Sequence, residues 1–274
     1  MKNRFLILLS FVLIVGRDVV CANTSMVRER ININRDWRYQ IDDPDGVGAA
    51  LHYSRLKPYL LPCANDFIIF GKRYQRPEGN PGENIAYVKS DFDDSEWRHL
   101  NLPHDWAIEG PFNIDYNGST GKLPYWGIRW YRKTLELSQD DAGKQIYLDI
   151  DGAMSYVSVW CNGQYVGGWP YGYASFRLDL TPYIKAGQKN VLAIRLDNPD
   201  DTSRWYPGSG IYRNVWLVKT SPVHVEQWGT FVRNQQVDSE IAVMEMGVNI
   251  ENHAGKDVQV KLQTSVYLQG KDGR

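Results

Sequence analysis

The sequence is short of cysteine, has no surplus charge of either sign and holds no long hydrophobic run. Three cysteines in 274 residues do not make a disulfide framework, and no His and Cys spacing suggests a zinc site. Lys and Arg total 31 against 32 Asp and Glu, a formal net charge of -1, which leaves no basic excess to neutralise a phosphate backbone or an anionic membrane. Nucleic acid is thereby not expected as a partner. The apolar run from Phe5 to Val15 is too short to cross a bilayer as a helix, so no transmembrane segment is expected. Nothing calls for a metal or a cofactor, and no internal repeat, coiled coil or low-complexity tract is present.

What the chain does have is aromatic and turn-forming residues. Ten Trp and 17 Tyr stand beside 24 Gly and 13 Pro; aromatics suit pleated surfaces, and Gly and Pro punctuate short strands. The fold class expected is all-β. Lys2 and Arg4 ahead of the Phe5–Val15 run form a targeting segment over 1–22, with Ala22 as the small residue before a cut that starts the mature chain near Asn23. The protein is thus expected to be exported, to the periplasm or the outside. Lipid attachment at Cys21 is the rival reading, against which Val20 is a poor preceding residue. Of the remaining thiols, Cys161 falls in an apolar strand and reads as a buried free thiol.

Strand periodicity is clearest from Trp130 onward. Tyr131, Leu135 and Leu137 share parity against Arg132 and Glu136, the period of a half-buried strand. Ile146, Leu148 and Ile150 repeat it. Val157, Val159 and Cys161 lead into Asn162-Gly163, a hairpin-turn pair, and Gln164 to Gly167 return. Phe176 to Leu180, Val191 to Leu196 and Ile211 to Val218 complete a closely spaced antiparallel set. A further sheet edge begins between Ser95 and Leu102. The stretch from Gln40 to Glu83 reads as a long, ordered, irregular insertion anchored by Leu60-Leu61 and Phe67 to Phe70; Arg76 to Gly82 continues neither helix nor strand.

The pattern restarts near Thr220-Ser221-Pro222. Ala242, Met244, Met246, Val248 and Ile250 share one face, and Asn252 to Gly255 turns the chain into Val258, Val260, Leu262, Val266 and Leu268, expected as the second arm of a hairpin. An immunoglobulin-like sandwich takes about 100 residues, so 221–274 is expected to hold part of one, after a sandwich over 23–220.

Four stretches together resemble glycoside hydrolase family 2. They are Leu102-Pro103-His104-Asp105-Trp106 with Glu109-Gly110-Pro111-Phe112; Trp130-Tyr131-Arg132-Lys133; Val159-Trp160-Cys161-Asn162-Gly163 with Val166-Gly167; and Trp205-Tyr206-Pro207-Gly208-Ser209-Gly210-Ile211-Tyr212-Arg213-Asn214-Val215. Their order is similar to the family's amino-terminal sugar-binding domain over about Asn34 to Val218, a jelly-roll, galactose-binding-like β sandwich. The segment that follows is similar to the start of the immunoglobulin-like domain. The insertion around Leu60 to Gly82 is similar to a variant of secreted β-galactosidase-like members. The resemblance implies a retaining exo-β-glycosidase of carbohydrate metabolism whose acid/base and nucleophile are two glutamates of a (β/α)8 barrel. That mechanism needs carboxyl groups about 5–5.5 Å apart, and a barrel of roughly 250 residues does not fit after Val218. No catalytic residue is expected in this chain.

Two loops are candidate carbohydrate contacts. Arg204, Trp205 and Tyr206 place aromatic rings beside a guanidinium, which suits a pyranose because it offers C–H faces for stacking and hydroxyls for hydrogen bonds. The plainer alternative packs the rings on the sandwich rim and pairs Arg204 with Asp200 or Asp201. Asn113, Asp115 and Tyr116 lie in a Gly-rich, aromatic loop from Asn113 to Trp126 that in galactosidase-like relatives lies near the active-site mouth; a surface excursion is its alternative. His104-Asp105 is no half triad, since neighbours on an extended chain point apart. Arg213 and Asn214 are expected to fix the closing strand or the contact to the barrel. Three functions compete: the non-catalytic amino-terminal portion of a β-galactosidase-like enzyme, a stand-alone carbohydrate-binding module, and a structural domain docking a separately supplied barrel.

Overall fold

The computed structural model describes residues 3–10, 28–68, 71–200 and 203–267. Cleavage after Ala22, lipid attachment at Cys21, and residues Ile69, Phe70, Asp201 and Leu268 lie outside these. In chain order the strands are β1 Asn3–Ser10, β2 Arg28–Asn32, β3 Trp37–Ile41, β4 Arg98–Leu100, β5 Gly127–Glu136, β6 Gln145–Ile150, β7 Val157–Cys161, β8 Gln164–Trp169, β9 Phe176–Asp179, β10 Lys189–Asn198, β11 Val215–Thr220, β12 Val223–Val237 and β13 Ala242–Asn252. The α-helix α1, Tyr53–Leu60, lies between β3 and β4. Contacts group Met26–Ser221 into one compact unit and Met1–Ser25 with Pro222–Arg274 into a second.

The larger unit is a β sandwich. Its sheets run β4-β3-β5-β10-β7-β8 and β2-β11-β6-β9, with antiparallel neighbours throughout. From β5 onward the chain changes sheet at each connection except the β7–β8 hairpin, the winding of a jelly roll. In that hairpin Asn162 and Gly163 have φ of 52° and 79°, the left-handed pair a two-residue turn demands. The inner faces supply one core: Tyr131, Leu135, Leu148, Ile150, Val159, Cys161, Leu178, Leu192, Ile194, Leu196 and Leu217 are all buried in it. Cys161 and Cys63 are free thiols, and burial pushes the Cys161 thiol up to about 12.

The outer face of the six-stranded sheet corrects the sequence reading. Arg132 was expected on the wet face of a half-buried strand, yet it is 1% exposed. Trp130, Trp160, Tyr165 and Ala193 on that face form a second core with Val47, Leu51, Leu56 and Leu60 of the insertion and Ile85, Val88 and Trp97 of the segment that follows it. The insertion is therefore a lid on the sheet, and its α1 replaces part of the stretch expected to be irregular. His52 starts α1, accepting the Ser54 amide on its ring, and Leu56 and Leu60, four residues apart, bury one face.

The smaller unit is a three-stranded sheet in the order β1-β13-β12. Val258 to Val266 was expected as a strand, but 257–267 carries no ladder. β13 pairs with β12 on one side and with β1 on the other; β1 lies within the 1–22 segment expected to be a leader, and while it is present the segment after β13 finds no free edge there. Val258, Val260, Val266 and Tyr267 are exposed in consequence.

Candidate functional site

Antiparallel pairing gathers several connections at one end of the sandwich. There β6, β8 and β10 finish and β5, β7, β9 and β11 begin, so both predicted loops share that end with 151–156 and 170–175. The loops are stitched together. Tyr125 donates from its hydroxyl to Asp200 at 3.0 Å, and its carbonyl accepts from the Asn198 amide at 2.7 Å and the Ser209 hydroxyl at 2.9 Å. Gly210 bridges to Met154 at φ +83°, where a Cβ would lie 2.5 Å from the His104 carbonyl oxygen. Only glycine fits there.

His104 and Asp105 diverge as the extended geometry requires. The His104 ring lies 2.8 Å from the Tyr131 hydroxyl through Nδ1 and 3.3 Å from Glu109 through Nε2, while Arg98 grips Glu109 with two bonds of 2.7 Å. Burial holds the His104 pKa below the usual imidazole range despite Glu109, and burial raises that of Tyr131 well above a free phenol. Asp105 instead accepts from the Tyr206 hydroxyl at 2.6–2.7 Å. Burial first, then this carboxylate, pushes the Tyr206 phenol up. These two residues are loop fasteners with separate partners.

Of the predicted contacts, Trp205 and Arg204 face solvent and Tyr206 is half-buried. The Trp205 indole donates to the Tyr173 hydroxyl at 3.0 Å, and Ser203 donates to the Trp205 carbonyl at 2.6 Å. Asn113, Asp115 and Tyr116 form a turn: the Asn113 side chain accepts the Asp115 amide at 3.0 Å, and its carbonyl accepts the Tyr116 amide at 3.1 Å. The Tyr116 ring packs edge-on against Trp126 at 4.7 Å, and Trp126 against Tyr125 at 5.5 Å, which joins this turn to the other loop. Asn214 fixes the closing strand by accepting from the Asn34 amide at 2.7 Å. Asn162 is fully structural, bonded to Tyr183, Asn190 and Val191.

Sequence reasoning missed Tyr171 and Tyr173. Both are exposed at this end, and their signal was Pro170-Tyr171-Gly172-Tyr173, aromatics around a glycine between two strands rather than alternating within one. A cavity of about 440 Å³ lies elsewhere, in the insertion, lined by Pro44, Asp45, Val47, Glu83 and Ile85 among others; none of the six predicted contacts lines it. Among the described residues no group of three His, Cys, Asp or Glu could hold a metal ion, and no helix is long and apolar enough to cross a membrane.

Residues 86–221 match the family model for the sugar binding domain of glycosyl hydrolases family 2. The chain is 40% identical to a β-galactosidase of Bacteroides ovatus over 93% of its own length and 25% of the relative's. It is 29% identical to a β-glucuronidase of Bacteroides fragilis over 62% of its length and 25% of that protein. Among solved structures, a β-glycosidase from Bacteroides vulgatus superposes with a TM-score of 0.64 at 30% identity, covering 89% of this chain and 26% of that one. The chain thus spans about a quarter of the length of these relatives.

Proposed function

The chain belongs to glycoside hydrolase family 2 through its sugar-binding domain, and from that premise we propose that it serves an exported, retaining, β-galactosidase-like exo-glycosidase as the non-catalytic amino-terminal portion. The observation that carries the reading is the 40% identity to a β-galactosidase across 93% of this chain, which favours a β-galactoside over other glycans. Hydrolysis with retention requires two carboxyl groups about 5–5.5 Å apart, one protonated to meet the leaving oxygen. The described residues are strands, one eight-residue α-helix and short 3-10 turns, with no (β/α)8 barrel to hold such a pair. In this reading the site end presents Trp205 as a stacking face for the sugar, and Tyr206, locked on Asp105, sets the loop that carries it. Lys2, Arg4 and the Phe5–Val15 run support export.

A chimera tests the proposal. Residues 28–267 replace the corresponding part of the Bacteroides ovatus β-galactosidase, and turnover of a chromogenic β-galactoside is followed. The chain alone is expected to show none, the chimera to be active, and Trp205→Ala in the chimera to lower kcat/KM about tenfold, the loss of one aromatic contact. Turnover by the chain alone that disappears with one of its own carboxylates, or a folded chimera indifferent to Trp205→Ala, overturns the reading.

A further inference from the structure

The larger unit exposes large aromatics in two places, Phe67 and Tyr74 in the insertion and a group of rings at the site end. Of the tryptophans in the larger unit, Trp37, Trp97, Trp106, Trp130 and Trp160 are buried and Trp126, Trp169 and Trp216 half-buried, whereas Trp205 is 58% exposed. Beside it Tyr171 is 60% and Tyr173 44% exposed. Adjacent apolar rings in water are unfavourable unless something covers them.

These rings are also held rather than loose. The Tyr173 hydroxyl accepts from the Trp205 indole and donates to the Pro207 carbonyl at 3.0 Å. The Tyr212 hydroxyl donates to the Gly172 carbonyl at 2.8 Å, and a Cβ at Gly172 would lie 2.3 Å from the Met154 sulfur. The segment between the two tyrosines is therefore clamped at its middle, so little ordering entropy is lost when a ligand arrives. Tyr171 and Tyr173 sit 5.6 Å apart with their planes at 71°. Rings so inclined cannot clamp one flat ligand between them. They suit a ligand whose apolar faces turn from one unit to the next, as successive pyranoses of a β-linked chain do. From Trp169 to Ser175 no side chain is charged, which fits a neutral glycan.

We propose that Tyr171 and Tyr173 extend the Trp205 contact into an elongated platform that stacks a neighbouring pyranose of a neutral β-linked oligosaccharide. The proposal rests on the sugar-binding reading above and adds to it that the ligand is a chain rather than a single sugar. Tyr171 touches no core, so its replacement leaves the fold intact.

The full chain is titrated with galactose and with β-1,4-linked galactotetraose, followed by saturation-transfer NMR. The tetrasaccharide is expected to bind about tenfold tighter than the monosaccharide. Tyr171→Ala should erase that margin while leaving galactose binding unchanged, and Tyr171→Phe should keep it, because the ring and not the hydroxyl stacks. Should Tyr171→Ala melt below the parent, Tyr171→Leu carries the same expectation. If Trp205→Ala weakens both sugars and Tyr171→Ala neither, the platform is refuted while the sugar-binding reading stands. If neither sugar binds, both fall. If light scattering shows dimers that Tyr171→Ala dissolves without altering tetrasaccharide affinity, the rings cover protein and the proposal is overturned.

Discussion

The two faces of the six-stranded sheet are both buried, and by different means. Inside, Leu192, Ile194 and Leu196 of β10 meet aliphatic side chains of the opposite sheet, and stability comes from apolar area and close packing. Outside, the intervening Ala193 and Arg195 face the insertion. Arg195 is 3% exposed and grips Asp43 with two bonds of 2.8 Å; Arg132 binds Asp94 at 2.7 Å and the carbonyls of Tyr87, Lys89 and Phe92. The Trp130 and Trp160 indoles donate to Asp43 at 2.8 Å and to the Pro81 carbonyl at 2.7 Å. The inner face tolerates any side chain of suitable shape, whereas the outer face requires particular partners at particular places. The irregular insertion and the segment after it have few ladder bonds of their own, and the buried guanidiniums take up loop carbonyls of both, Leu51 through Arg195 and Tyr87, Lys89 and Phe92 through Arg132.

Breaking the outer face should have the larger effect. Asp43→Ala removes the two-bond partner of Arg195, leaving it Asp197 at 3.3 Å and the Leu51 carbonyl at 3.4 Å, and takes the acceptor from the Trp130 indole. It is expected to cost about 2–3 kcal/mol in urea unfolding, whereas Asp43→Leu combined with Arg195→Met should cost less. A loss under about 1 kcal/mol for the single change would mean that charge pairing does not hold the insertion. On the inner face Ile194→Val should cost about 0.5–1.5 kcal/mol; a larger loss would show that this core is as exacting as the outer one.

The smallest effect is one of pH, at the loop end of the inner core. The His104 pKa is lowered in the folded chain, chiefly by burial, so the unfolded chain binds the proton more readily. The stability due to neutral His104 is then complete above about 6.5, the unfolded value, and declines as pH falls from there through the folded pKa. Melting curves from pH 8 to pH 5 should fall less steeply for His104→Gln than for the parent. Parallel curves would show that His104 keeps its charge state on unfolding.

The inner core was legible because period-two alternation reports one buried face, and Val157, Val159 and Cys161 or Leu192, Ile194 and Leu196 obey it. The outer core was not, because Arg132 and Arg195 look like solvent-facing residues until Asp94 and Asp43 are brought to them from 38 and 152 residues away. Helix α1 escaped for a related reason: Leu56 and Leu60 are two anchors in a polar stretch with Pro58 inside, and it is Trp160 and its neighbours that give them a surface. At the loop end of the sandwich, Trp205 and Tyr206 were singled out from a motif, while Tyr171 and Tyr173, exposed at the same end, belong to no periodic pattern. The hairpin arm expected from Val258 onward shows the converse, an alternating pattern that forms no strand over 257–267 while β1, from the segment expected to be a leader, holds the other edge of β13.

Local chemistry, carried by the sequence alone, determined the all-β class, the Asn162-Gly163 turn, the inner-face residues and the four stretches that mark the family. Each depends on residues close in the chain, through side-chain alternation or the positive φ of a turn. Only the tertiary structure decided that the insertion roofs the sheet, that two arginines become interior residues, and that Tyr171, Tyr173 and Trp205 meet at one end of the sandwich. Those outcomes depend on which distant segments share a surface, and burial and pairing are properties of that surface rather than of any residue within it.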